Sequence, residues 1–172
     1  MNRRKLETLL LTLESTPALL TKAAGQISPA DALRTPEAGG FSLVEHAWHL
    51  ADLEREAYAA RIRRLLTEDE PTLANFDGDR IARERDYRAR SLEKALESFA
   101  GTRRRNVDRL RGLPAAAWKR AGHQESVGRV TLSDLPRMMA EHDREHTEEI
   151  KELLAYLRTG EQPSRVPKSA VA

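Results

Sequence analysis

Apolar residues recur every three or four positions in four long segments of the chain, which is the spacing of one helix face. The first segment covers residues 2–24, and its stripe consists of Leu6, Leu9, Leu10, Leu13 and Leu20. Pro17 lies inside this segment and predicts a kink or a restart of the helix. The fourth segment covers residues 131–158, with Thr131 and Asp134 as its cap, and its stripe consists of Leu135, Met139, Leu153 and Leu157. Both segments are predicted to be amphipathic helices.

Cap and turn residues mark the ends of the two middle segments. Ser42 and Glu45 have the spacing of a capping box, which predicts a helix from there to about Leu66. The third helix is predicted over residues 87–110, before Gly112 and Pro114. The connections are predicted to be loops: residues 25–40 with one helical turn near residues 28–31, residues 72–86 as a long crossover with a turn of helix, and residues 118–130.

Four helices joined partly by long connections predict an all-α fold, a four-helix bundle with long crossover connections. Composition agrees, because 33% of the residues are charged and only 5% are aromatic, a mixture typical of amphipathic helices. The chain has 172 residues, which suits one domain. We expect this domain to cover residues 1–160 and residues 161–172 to form a disordered tail.

Charge and apolar runs exclude several classes of protein. The 29 basic and 27 acidic residues nearly cancel, and the basic run at residues 103–105 is predicted to be a solvated helix face, so no nucleic-acid partner is expected. No apolar stretch is long enough to span a membrane, and Glu7 and Glu14 interrupt the leucine-rich N-terminal run, which therefore does not resemble a signal peptide. These features predict a soluble, cytoplasmic protein that does not bind membranes.

The candidate chemistry lies in the histidines, since the chain has no cysteine. His142 and His146 are four residues apart on the predicted fourth helix, so their rings lie one above the other near its apolar stripe. Two imidazoles inside a bundle are costly unless they are hydrogen-bonded or share a metal ion. Hydrogen bonding to neighbours is the alternative to a metal site for this pair.

A third ligand would come from the second helix, which carries His46 and His49. Leu43, Ala47, Leu50 and Ala57 mark the apolar side of that helix. His46 lies nearer the centre of this side and His49 lies at its flank. Helical periodicity therefore slightly favours His46 but does not decide between the two.

Two stretches of the sequence resemble the signature regions of the DinB-like (DinB/YfiT) superfamily. Gly-Gly-Phe-Ser-Leu at residues 39–43 leads into His-Leu-Ala-Asp at residues 49–52, and Gly-Arg-Val-Thr-Leu at residues 128–132 leads into His-Asp-Arg-Glu-His at residues 142–146. The stretch from Asp77-Gly78-Asp79 to Asp86-Tyr87 resembles a subgroup of this family. The resemblance implies a metal site formed by His49, His142 and His146.

The resemblance also implies a function and an assembly. The ion would be nickel or zinc, with manganese and iron as alternatives, and the chain would pair as a homodimer. The expected activity is that of a metal-dependent transferase or hydrolase acting on a small-molecule substrate, such as a low-molecular-weight thiol of the bacillithiol or mycothiol type. The rival hypothesis is a non-catalytic, stress-associated metal-binding or interaction bundle.

Other polar residues near the motif have less specific interpretations. Residues 142–146 also match the H-x-x-E-H pattern of a class of zinc peptidases, in which Glu145 would activate water, but little chain follows to supply a further ligand. For Glu145 and Glu149, a solvated helix-face charge is the favoured interpretation and a ligand-orienting role is the alternative. His123 is expected in a surface loop, with the mouth of a pocket as the alternative.

Overall fold

A computed structural model of the protein describes residues 3–37 and 39–162. The sequence predicted a disordered tail that begins at Glu161, and the part of this tail from residue 163 onward lies outside the described residues. The helices are α1 (Arg3–Ala24), α2 (Leu43–Asp52), α3 (Ala59–Thr67), α4 (Gly78–Glu84), α5 (Leu92–Arg111) and α6 (Leu135–Thr159). The strands are β1 (Thr72–Leu73), β2 (Ala121–Gln124) and β3 (Gly128–Thr131).

The long helices form the predicted bundle. Helix α1 packs mainly against α5 and α6, and α2 packs against the same two helices, so α1 and α2 occupy opposite corners. The consecutive helices α1 and α2 are therefore not neighbours in the bundle, which is what a crossover connection between them requires. Two apolar clusters fill the interior, one around Leu13 and Met139 and the other around Leu43 and Phe99. In the described part of the chain, no helix is long and apolar enough to cross a membrane.

The second long helix begins at the predicted capping box and contains an irregular turn. The Glu45 backbone N–H donates to Ser42 Oγ, and the Ser42 backbone N–H donates to the Glu45 carboxylate at 2.9 Å. Between α2 and α3 the chain forms one π-helical stretch, Leu53–Tyr58, and the helix continues to Thr67. The wider turn follows directly after the His-Leu-Ala-Asp segment, and such turns are common beside functional sites.

Asp52 connects this segment to the crossover that follows α3. Its side chain is fully buried and accepts hydrogen bonds from Tyr87 Oη at 2.7 Å, from Arg55 at 2.6 Å and from Arg85. Asp77 caps α4 by accepting from the Arg80 backbone N–H at 3.0 Å. The turn of helix expected in the crossover is a seven-residue helix that contacts α2, and Arg85, the residue that follows this helix, donates to Asp52.

The loop predicted over residues 118–130 is wrong in part, because it contains a β-hairpin. Strand β2 pairs antiparallel with β3 and parallel with β1, which makes a small three-stranded sheet beside the bundle. Gly122 permits this pairing, since a Cβ atom there would lie 2.5 Å from the Pro71 carbonyl oxygen. Strands of two to four residues are too short to show an alternating pattern in the sequence.

Helix boundaries differ from the prediction at two places, the starts of α5 and α6, whereas α1 has its predicted extent. Helix α1 runs through Pro17 without a restart. Helix α5 begins at Leu92, because Ser91 caps it and residues 87–89 form a separate 3₁₀ turn. Helix α6 begins at Leu135 rather than at the predicted cap Thr131, which belongs to β3 and donates to the Asp134 carboxylate. Gly160, with φ of +77°, ends α6 as predicted.

Candidate metal centre

His49, His142 and His146 come together between α2 and α6. The Nε2 atoms of His49 and His142 are 3.3 Å apart, and those of His142 and His146 are 3.2 Å apart. One ring nitrogen from each of the three residues lies within 4.8 Å of the others. Helical spacing places His142 above His146, and the packing of α2 against α6 brings in His49 from the opposite side. The structure therefore brings together all three residues that the sequence predicted.

The separations of these nitrogens fit one shared ion. Three imidazole nitrogens at about 2.0–2.1 Å from a common ion lie about 2.8–3.4 Å from one another in octahedral or tetrahedral geometry. The two separations that join His142 to its neighbours fall in that range. The donor set is compatible with nickel, zinc and other divalent first-row ions.

His46 also reaches the cluster, but on the other side of His146. Its Nδ1 atom lies 3.0 Å from His146 Nδ1, and Glu149 Oε2 lies 3.2 Å from the same His146 nitrogen. His46, His146 and Glu149 form a second group with potential ligand atoms within 4.8 Å. The helical wheel correctly predicted that His46 is buried, since only 3% of its surface is exposed. Its ring nevertheless contacts Nδ1 of His146 and not the three Nε2 atoms of His49, His142 and His146.

Burial keeps these imidazoles neutral. Removal from water lowers the pKa of His46, His49 and His142 well below the ordinary 6.5, and the neighbouring histidines lower each pKa further. The guanidinium groups of Arg103 and Arg61 also lower the pKa of His142. A metal ion requires the neutral form of histidine, so the same burial prepares these rings as ligands.

Acid should destabilise the ion-free protein from about pH 6.5 downward. The unfolded chain protonates each histidine near pH 6.5, whereas the folded chain keeps His46, His49 and His142 neutral to a much lower pH. The unfolded state then binds more protons, so the free energy of unfolding falls as the pH falls, by up to about 1.4 kcal/mol per pH unit for each histidine. Urea unfolding of chelator-treated protein at about pH 7, 6 and 5 measures this.

A His123→Gln variant is the matched control for that titration, because His123 is exposed. It should show the same slope as the unchanged protein, whereas His46→Phe should show a smaller slope. A free energy of unfolding that stays constant between about pH 7 and 5 would contradict neutral burial of the cluster.

Aromatic side chains enclose one side of the candidate centre. The His49 ring centroid lies 5.6 Å from that of Phe41 and 5.8 Å from that of Phe76, and His49 itself is fully buried. The Nδ1 atoms of His49 and His142 are buried and have no hydrogen-bond partner among the described residues. His142 is only half-buried, so it is the member of the cluster nearest to solvent.

The remaining candidates lie in different surroundings. His123 is exposed on β2, which agrees with the surface position favoured by the sequence, although it lies in a strand rather than a loop. Glu145 is half-buried and belongs to neither group of potential ligands. Glu149, which the sequence favoured as a solvated charge, instead contacts His146. The signal for this contact was its position three residues after His146 on the same helix.

Comparison with known proteins places these features in a family. The family model of the DinB superfamily matches residues 12–150. No curated protein matches the chain. Among solved structures, YfiT from Bacillus subtilis superposes with a TM-score of 0.83 and 24% sequence identity, over 93% of this chain and 90% of that one. YfiT is described as "a probable metal-dependent hydrolase with an unusual four-helix bundle topology". This likeness shows a shared fold.

Proposed function

The chain belongs to the DinB superfamily, and we propose that it is a metal-dependent enzyme that holds one divalent ion with His49, His142 and His146. The observation that carries the proposal is the convergence of three Nε2 atoms from two helices at separations suited to one ion. Nickel or zinc is the proposed ion, since imidazole suits both, with manganese and iron as alternatives.

A site with three protein ligands suits catalysis better than a purely structural role. When bound, the ion supplies a Lewis acid with at least one coordination position left for a water molecule or a substrate. Phe41 and Phe76 exclude water from the His49 side of the cluster, and their packing holds that ring in place. The half-buried His142 marks the side from which a small molecule can approach.

Hydrolysis of a small-molecule substrate is the reaction we propose first, supported by the description of the YfiT structure. Transfer of a low-molecular-weight thiol, such as bacillithiol or mycothiol, is the alternative that the family resemblance suggests. A non-catalytic metal-binding or interaction bundle is the rival from a different class.

Metal analysis followed by two substrate screens tests these functions. Untagged protein should contain about one divalent ion per chain, measured by mass spectrometry of the elements. The loaded protein should then hydrolyse members of an ester and amide panel, or consume a thiol in a panel of thiol acceptors, and His49→Ala should abolish the reaction. Stoichiometric metal without turnover in either screen would favour the non-catalytic rival, and protein without metal affinity would contradict the site.

A homodimer is the assembly that we propose. Leu11 and Leu19 of α1 are 58% and 49% exposed. Exposed apolar side chains on one helix often mark an interface, and two-fold dimers are the commonest closed arrangement. Light scattering should give about twice the chain mass of 19.4 kDa. A Leu11→Glu variant should shift the protein to monomer, and a monomeric mass of the unchanged protein at micromolar concentration would contradict the dimer.

A further inference from the structure

His146 is the only histidine of the three whose second ring nitrogen has polar neighbours within the described residues. Its Nε2 atom faces His142 and the candidate ion position. Its Nδ1 atom faces Glu149 Oε2 at 3.2 Å and His46 Nδ1 at 3.0 Å. The two sides of one ring therefore belong to two different groups of polar atoms.

The chemistry of imidazole links these two sides. A neutral ring carries one proton, so a ring that binds an ion through Nε2 must carry its proton on Nδ1. His146 is only 6% exposed, and a buried N–H group needs an acceptor. A carboxylate is the strongest acceptor nearby, and Glu149 lies one helical turn after His146, at i+3.

We propose that Glu149 is a positioning residue, whose carboxylate accepts the Nδ1–H of His146 and so holds Nε2 free to bind the ion. This inference rests on the proposed metal site and deepens it. Metal-binding histidines commonly donate their other N–H to a carboxylate, which fixes both the tautomer and the orientation of the ring. The side chain of Glu149 is 27% exposed, so it reaches the buried ring while remaining in contact with water.

His46 is the other polar neighbour of the Nδ1 atom of His146. Its ring packs edge-on against that of His146, with centroids 5.1 Å apart and planes at 76°. Only one proton can lie between the two Nδ1 atoms, so with the proton on His146 the Nδ1 atom of His46 carries none. The competing interpretation is that His46, His146 and Glu149 hold a second ion. This ion would require His146 to lose its Nδ1 proton.

Nitrogen-15 NMR of the imidazole rings tests the tautomer without any metal. In ion-free protein, His146 should carry its proton on Nδ1. Glu149→Ala should shift the ring partly or wholly to the Nε2–H tautomer, and Glu149→Gln, which keeps an acceptor oxygen, should restore much of the original state. Glu148→Ala is the matched control, because Glu148 is the adjacent carboxylate and pairs with Arg144 instead. A His146 ring protonated on Nε2 in the unchanged protein would overturn the proposal.

Metal titration provides the second measurement. Glu149→Ala should weaken Ni²⁺ or Zn²⁺ binding by about 10- to 100-fold, as loss of a partner of a metal-binding histidine does in other sites. Glu149→Gln should lose less affinity for the ion, and Glu148→Ala should bind the ion as tightly as the unchanged protein. Circular dichroism and melting temperature should be the same for all variants. Equal affinity in Glu149→Ala and the unchanged protein, or two ions bound per chain, would overturn the role of Glu149.

The two measurements separate this inference from the proposed function. If the unchanged protein binds neither ion, the proposed metal site fails. The tautomer of His146 in the ion-free Glu149 variants then decides by itself whether Glu149 holds the ring.

Discussion

Replacement of His142 or His146 by alanine should abolish stoichiometric ion binding, and His49→Ala should weaken it by about two to three orders of magnitude. The free energy of zinc binding in zinc-finger peptides is about 10–16 kcal/mol, so each of their four ligands contributes about 2.5–4 kcal/mol. His142 and His146 lie on one helix, and their Nε2 atoms are 3.2 Å apart. His49 comes from a different helix, where a water molecule can replace it more easily. Competition titration with a chromophoric chelator measures the affinities.

His46→Ala and His123→Ala are the matched controls for these variants. His46 lies near the cluster but faces Nδ1 of His146, so its loss should reduce affinity much less than the loss of His49. His123 is exposed on β2, and its replacement should have no effect. If His46 proved indispensable and His49 proved neutral, the assignment of ligands would be wrong.

Replacement of Arg103 by methionine should reduce the free energy of unfolding by about 3–5 kcal/mol, the usual loss when one partner of a buried ion pair is removed. The guanidinium is only 2% exposed and lies between two buried carboxylates, 2.9 Å from Glu54 Oε2 and 2.5 Å from Asp143 Oδ2. Thr16 and Asn106 donate to the same carboxylates at 2.7 Å each. Without Arg103, two negative charges would remain buried with only neutral donors.

Urea unfolding at neutral pH measures this loss, and Arg104→Met is the matched control. Arg104 is the next residue along the helix and is exposed, so its replacement should change stability by no more than about 0.5 kcal/mol. A triple variant with Arg103→Met, Glu54→Gln and Asp143→Asn should recover part of the loss, because it removes the unpaired charges as well. A single Arg103→Met variant as stable as the unchanged protein would show that the network is not needed.

The same network gives the bundle a polar centre beside the metal site. Thr16 comes from α1, Glu54 from the π-helical stretch, Arg103 from α5 and Asp143 from α6. Asp143 directly follows His142 in the chain, so its bonds to Arg103 help to set the position of α6 next to the cluster. The prediction of a solvated face for residues 103–105 was wrong for Arg103 and correct for Arg104 and Arg105, which are exposed.

Local pattern was sufficient for the long helices and for two of the three proposed metal ligands. The capping box at Ser42, the glycine after α6 and the apolar stripes depend on residues within about one turn of one another, so the sequence predicted four helices and a bundle. The pair of His142 and His146 is also a local feature, because four residues make about one helical turn. The short strands escaped prediction, since they contain few residues and since β1 pairs with residues of β2 that lie about fifty positions away.

Only the tertiary structure decided which side chains meet. His49 and His142 are 93 positions apart, and His46 and His146 are 100 apart, so their contacts depend on the rotation and axial position of α2 against α6. The helical wheel placed His46 near the centre of the apolar side and His49 at its flank, but it could not show which ring nitrogen of the last helix each would approach. Arg103 likewise turns inward because carboxylates from α6 and the π-helical stretch meet there. Helical periodicity states which side of a helix is buried, and the packing of the other helices determines what that side contacts.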